Sequence, residues 1–260
     1  MHLKRTVKKI LLIGLNLPEG RKLRRFKDTH RGDRCFVLGN GPSLNHQDLT
    51  LLRNEYTFVT NRFIQHKDFD TIQPDYYCIS DSKFFMAEEG RSQITRIRAA
   101  QDQLHNMIVF FSLRFKLNLN IRMGFKENTF YLRYLDWKKV WEMGRLSTDI
   151  AHGVYMGHTI IIDFCLPIAY YMGFSEVYLL GCDMSYSDLD SPTHFFGNME
   201  HAKTIAGKDS RTDWYHQVEE SYRIAKDTFY ASHRKIYDAT YRGKLTVFEK
   251  VDYPSIILGT

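Results

Sequence analysis

The sequence predicts an α/β domain, doubly wound around a mostly parallel sheet, with a small lid and a basic N-terminal arm. Three observations predict it. Short, continuous apolar runs such as "CFVL" (35–38), "YTFVT" (56–60) and "EVYLL" (176–180) alternate with helical patterns, as expected of strands covered on both faces. Polar residues follow several of these runs: Asn40, Asn61, Asp81 and Asp183. In open parallel sheets ligands gather beyond the carboxyl ends of the strands, so these four form a candidate constellation. Finally, 260 residues with 43% hydrophobic and 25% charged side chains suit one large domain with a substantial core.

The elements follow in order. Residues 1–30 carry nine Lys/Arg against two Asp/Glu, while the rest of the chain is nearly balanced, so the net charge of +6 belongs to this segment. Its apolar run, Ile10 to Leu17, is too short to span a bilayer, and no small-residue cleavage site follows it. The segment reads either as a solvated basic face or as a dock for an anionic membrane surface. Nucleic acid is disfavoured, because no aromatic platform interleaves the basic residues and no nucleic-acid motif follows.

From Cys35 the pattern is strand, turn, helix. "PSLNHQDLTLL" (42–52) reads as a helix start, with Pro42 and Ser43 in its first turn. "DYYCISD" and "MIVFFSL" are further strands, separated by a polar helix at 88–105. The stretch 155–174, "YMGHTIIIDFCLPIAYYMGF", is long and apolar but holds His158, Asp163 and Pro167. It reads as a core helix, kinked or shifted near Pro167. After "EVYLLGCD", residues 184–212 are polar and read as a lid. An amphipathic helix at 214–233 and the strand "KIYDAT" lead to the end. The 31–260 region is thus one domain. Cys35, Cys78, Cys165 and Cys182 lie in apolar runs with no CxxC or zinc-type spacing, as expected of buried free thiols in a reducing compartment.

The turn Gly39-Asn40-Gly41-Pro42-Ser43 after the first strand is the sharpest local signal. Its glycines would permit positive φ and close approach of a ligand, and the helix expected after it would present free N–H groups to an anion. It is neither a G-x-G-x-x-G fingerprint nor a Walker A loop.

"GNGPSL", "TN" at the next strand end, "HGVYMG" and "VYLLGCDMSY" resemble the bacterial CMP-sialic-acid-dependent sialyltransferases that decorate lipooligosaccharide (glycosyltransferase family 42). Over most of its length the chain is similar to the 6-hydroxymethylpterin pyrophosphokinase (MptE)-like family. That match runs through "GDRCFVLGNGPSL", "PDYYCISDS", "YMGFSEVYLLGCDMSY", "HFF" and "IYDATYRGKLTVFEKVDY".

The resemblance implies a Rossmann-like fold and a nucleotide site. Gly39, Asn40, Gly41, Pro42 and Ser43 would line phosphate and ribose, and Asn61 would contact the nucleotide. Gly153 and its neighbours would hold the cytosine, and Gly181 and Asp183 the ribose. Two positions depart from the sialyltransferase pattern: His152 stands where serine precedes "GVYM", and Asp81 stands near an asparagine.

A sugar transfer needs a base for the acceptor hydroxyl and support for the leaving phosphate. In the sialyltransferases the second His of a "HYIGH" lid stretch is the base. Here that position reads Asn198, and His194 matches the first His. His194 is nonetheless the expected base, because the MptE-like relatives carry "HF" here, with His152 and His201 in reserve, and Tyr186 would hydrogen-bond the leaving phosphate.

The expected activity is an inverting glycosyltransferase of surface polysaccharide or lipopolysaccharide synthesis. It would use a CMP-activated nonulosonic acid or Kdo-like sugar and a glycan or glycolipid acceptor, with no cofactor. It would be cytoplasmic, with peripheral contact at the inner membrane face through residues 1–30; a homo-oligomer is left open. The alternative is an ATP-dependent pterin pyrophosphokinase, in which Asp81 and Asp183 would hold Mg²⁺.

Overall fold

The structure is a computed structural model that describes residues 18–81, 88–104, 106–116, 127–184, 194–197 and 208–259. Its centre is an eight-stranded sheet in which every pairing is parallel. The strands are β1 (Arg34–Leu38), β2 (Tyr56–Thr60), β3 (Tyr76–Ile79), β4 (Ile108–Ser112), β5 (Thr129–Leu132), then β8 (Glu176–Leu180), β9 (Lys235–Asp238) and β10 (Glu249–Lys250). Between β5 and β8 a separate two-stranded sheet pairs β6 (Tyr134–Lys139) with β7 (Val154–Met156).

Spatial order is β10-β9-β8-β1-β2-β3-β4-β5. The chain therefore winds outward from β1 in one direction and returns through β8 to wind out in the other. The switch point lies between β1 and β8, whose register runs from Arg34↔Glu176 to Leu38↔Leu180. Ligand crevices in this architecture form there.

Side-chain alternation explains why apolar runs lack a polar face. Cys35 and Val37 of β1 join one core cluster and Phe36 and Leu38 the other, as the twofold period of a strand requires. On the first face lie residues 18–26, α2 (Leu166–Met172) and α3 (Lys208–Tyr230); on the second lie α1 (Glu88–Gln103) and α4 (Tyr253–Leu258). All four cysteines are buried and free.

Three sequence expectations change in detail. Residues 155–174 are not one helix: Tyr155 and Met156 belong to β7, and the helical part begins at Ile161. Residues 42–52 do not form an α-helix but two 3₁₀ turns, Pro42–His46 and Leu49–Leu52. Asp48 is the reason: its carboxylate accepts from Thr50 N–H and caps the second turn, so the first ends at His46. The shift near Pro167 takes the form of a π-turn over Ile161–Cys165 running straight into α2. Proline has no N–H for the carbonyl four residues back, and Leu166 N–H reaches instead to the carbonyl of Ile161.

Residues 18–30, the described part of the basic segment, are tied to the domain. Leu23 and Phe26 are buried in the first core cluster. The Glu19 carboxylate, also buried, meets Lys116 at 2.7 Å and Lys22 at 3.3 Å. Arg21, Lys22, Arg24, Arg25 and Lys27 remain exposed. Among the described residues no helix is long and apolar enough to cross a membrane.

Candidate functional site

At the switch point the turns leaving β1 and β8 are hydrogen-bonded to one another. Gly39 N–H donates to Leu180 O at 2.8 Å and Gly41 N–H to Gly181 O at 2.9 Å. Space, not ligand approach, demands the two glycines. A Cβ on Gly39 would lie 2.4 Å from Gly181 O, and one on Gly41 would lie 1.8 Å from Asp183 Oδ2. Positive φ falls instead on Gly181 (64°) and on the non-glycine Asn61 (42°).

The anion expected on the turn is supplied by the protein itself. Ser43 donates its N–H to Asp183 Oδ1 at 3.0 Å and its hydroxyl to Asp183 Oδ2 at 2.7 Å. Burial raises the Asp183 pKa against the opposing pull of these two bonds, so desolvation is the larger effect.

A cavity of about 190 Å³ opens beside these turns. Of the residues singled out from the sequence, Gly39, Asn40, Gly41, Asn61, Gly181, Asp183 and His194 line it. Pro42 and Ser43 stand behind it in the 3₁₀ turn. Asp81, at the end of β3, lines neither this cavity nor the second one described below. Tyr186, Asn198, His201 and most of the 184–212 lid lie outside the described residues.

Asn40 donates through Nδ2 to Thr60 O and Oγ1 at 3.2 and 3.0 Å. Its Oδ1 is buried and has no hydrogen-bond partner among the described residues. A buried acceptor left open costs about 1–3 kcal/mol, which a bound donor group would recover.

The described piece of the lid, residues 194–197, closes over the β1 turn. Phe195 N–H donates to Asn40 O at 2.8 Å, and Asn45 Nδ2 donates to Phe195 O at 3.1 Å. This places His194 at the cavity, stacked on Phe196 at 4.9 Å. Burial, reinforced by the charge of Arg62, lowers the His194 pKa to about 4. The imidazole is neutral at pH 7, the state a proton acceptor requires.

The opposite wall comes from the turn after β7. His158, at φ 67°, and Thr159 line the cavity. Trp141 stacks on His158 at 4.4 Å, and His158 Nε2 meets Gln217 Oε1 at 2.8 Å. From α3, Trp214 and Tyr222 add aromatic surface.

Asp163, in the π-turn, is buried beneath this wall. It accepts from Gly157 N–H at 2.5 Å and from Tyr134 Oη at 2.7 Å. Burial raises its pKa to about 6. It fixes the turn that presents His158, which gives the π-turn a role at the site.

His152 and Gly153 lie elsewhere. They line a second cavity of about 250 Å³ with Leu135, Arg145, Thr148, Asp149 and others, sharing no lining residue with the first.

His158, Trp214 and Tyr222 were not expected at the site, nor was the charge of Arg62 acting on His194. Arg62 could have been suspected, since it directly follows Asn61 at a strand end. Nothing in the sequence pattern separates Trp214 and Tyr222 from the core-facing positions of their helix.

Among the described residues no group of three or more His, Cys, Asp or Glu is gathered as metal ligands. Of the two carboxylates expected to share a cation, Asp183 lines the cavity and Asp81 does not.

Comparison with known proteins agrees with this architecture. No curated protein matches the chain. A solved structure of the Maf glycosyltransferase from Magnetospirillum magneticum AMB-1 superimposes with a TM-score of 0.50 at 12% identity, covering 92% of this chain and 38% of that one. That likeness is one of fold, and the chain spans well under half of the structure it resembles. The family model described as 6-hydroxymethylpterin diphosphokinase MptE-like matches residues 13–189. This match covers most of the chain and supports a transferase-type enzyme: the chain belongs to the MptE-like family.

Proposed function

We propose that the chain is an inverting glycosyltransferase that moves a sugar from a CMP-activated donor to a hydroxyl of a glycan acceptor in the first cavity. The observation that carries this reading is His194, a histidine kept neutral by burial and placed beside the open acceptor of Asn40 and the carboxylate of Asp183. Asn40 Oδ1 accepts from the nucleotide, Asp183 accepts from ribose hydroxyls, and the His158, Trp214 and Tyr222 wall packs on the base or the sugar.

In the transfer, His194 takes the acceptor proton as the acceptor oxygen bonds to the anomeric carbon. The bond from that carbon to the phosphate oxygen breaks, and CMP leaves with the electron pair. Arg62 lies beside this event, 5.5 Å from the Phe196 ring, and stabilises the phosphate. The bound phosphate in turn offsets the Arg62 charge and moves the His194 pKa back toward neutrality, where a base is more effective.

A nonulosonic acid or Kdo-like sugar and a surface polysaccharide or lipopolysaccharide product follow from the sialyltransferase resemblance. Exposed Arg21, Lys22, Arg24, Arg25 and Lys27 suit docking of the enzyme on an anionic membrane face at the cytoplasmic side.

The name of the family favours a second reading, diphosphoryl transfer from ATP to a pterin. There Asp183 would be the cavity carboxylate able to help hold Mg²⁺, which would supply positive charge to the transferring phosphates. The test is turnover. The glycosyltransferase reading expects release of CMP from a CMP-sugar by the wild type and its loss in His194→Ala. Release of AMP from ATP with a pterin, and none of CMP, would replace it with the second reading.

A further inference from the structure

The second cavity lies at the start of β7, and Tyr155 forms its floor. Tyr155 N–H donates to Ser147 Oγ, and Arg145 Nη2 donates to the Tyr155 hydroxyl, both at 2.8 Å. The Arg145 guanidinium also lies 5.7 Å from the centroid of the Tyr155 ring. Asp149 Oδ1 accepts from Ala151 N–H at 3.0 Å, which shapes the 149–152 turn. Arg145, Thr148, Asp149 and His152 are exposed around the opening.

These groups constrain the ligand. A guanidinium offers only donors, a carboxylate only acceptors, and a hydroxyl both. The formal charges of Arg145 and Asp149 cancel. Phosphate recognition asks for surplus positive charge, which this lining lacks. Closely set donors and acceptors without net charge match the vicinal hydroxyls of a neutral sugar.

The position also fits. Trp141, stacked on His158 at the first cavity, lies on the short segment that continues through Gly144 to Arg145 and Ser147 at the second. A short stretch of chain thus connects the two cavities. Tyr155 and His158, three residues apart in the chain, line the second and the first cavity respectively.

We propose that the second cavity holds the acceptor, a neutral hydroxyl-rich glycan bound through Arg145, Thr148 and Asp149. This rests on glycosyl transfer in the first cavity. It gives the residues around His152 and Gly153 a different ligand from the cytosine that the resemblance implies.

The experiment is ligand-observed NMR on the full chain with lactose, maltose, inorganic phosphate and CMP as separate probes. It uses wild type, Thr148→Val and Arg145→Gln, with circular dichroism to confirm that each variant folds. Because both positions are exposed, Thr148→Val keeps the test open should Arg145→Gln fail to fold. The expected result is binding of at least one of the two disaccharides, undisturbed by phosphate and weakened about tenfold in each variant, with CMP binding unchanged. Absence of disaccharide binding, or its displacement by phosphate, would overturn the proposal. So would loss of CMP binding in the variants, which would place the nucleotide base in this cavity. If the disaccharide result holds and CMP fails to bind wild type, the sugar site stands and the glycosyl-transfer reading of the first cavity falls.

Discussion

The first cavity is assembled from the turns after β1, β2, β7 and β8, from the lid at 194–197 and from α3, whereas the second is lined by Leu135 and residues between 145 and 155. The difference extends to their titratable groups. In the first, burial moves His194 and His158 down and Asp183 up. In the second, Arg145, Asp149 and His152 stand exposed at the opening. Perturbed groups gathered from distant parts of a chain are the usual mark of a reaction centre, and exposed polar groups on one continuous stretch suit recognition. On the proposed reading, the first cavity carries the chemistry and the second the specificity.

The strongest way to break it is His194→Ala. Loss of the base should lower kcat by about 10²–10⁴-fold with little change in CMP affinity, measured by steady-state kinetics and calorimetry. The pH profile sharpens this. The free-enzyme His194 titrates at about 4, so kcat/KM should show no inflection near 6.5 attributable to this group and should fall only on approach to pH 4. An equal loss of activity in Arg145→Gln at saturating acceptor would erase the distinction between the cavities.

Next comes Gly41→Ala. Its Cβ would collide with Asp183 Oδ2 and with Gly181 O, 2.7 Å away. Overpacking of this kind costs about 3 kcal/mol, read as a drop in the urea midpoint. Asp183→Asn should cost less, about 1.5 kcal/mol, as Ser43 loses a charged acceptor.

His194 and Asp163 predict opposing pH effects on stability. His194 has its folded pKa below its unfolded value, so the unfolded chain binds the extra proton, and stability falls as pH drops from 6.5 toward 4. Asp163 is raised from 3.8 to about 6, so the folded chain binds the extra proton, and stability falls as pH rises through that window. Asp163→Asn should therefore steepen the loss of stability on acidification, and His194→Ala should flatten or reverse it, in denaturation series between pH 4 and 7. The smallest effect belongs to Thr148→Val, within about 0.5 kcal/mol of wild type in stability.

Much of this was legible in the chain. Apolar runs without a polar face announced the parallel sheet, and Asn40, Asn61 and Asp183 stand at the cavity because strand ends gather there. The turn after Leu38 was located, but its occupant was not. That Asp183 would satisfy Ser43, 140 residues away, depends on β8 lying beside β1, a pairing that no local pattern encodes. His152 and His158 illustrate the same limit. They stand six positions apart, and only the path of β7 decides that the first lines one cavity and the second the other. Trp214 was hidden for another reason: its helix is amphipathic, and an aromatic on its inner face reads as core.

Calorimetric titration of the wild-type chain with CMP and with ATP, each with and without Mg²⁺, tests the central claim most directly. The account predicts CMP binding that does not need the metal and is lost in Asn40→Ala, whose open Oδ1 is the acceptor assigned to the nucleotide. Selective ATP binding that requires Mg²⁺ would contradict it.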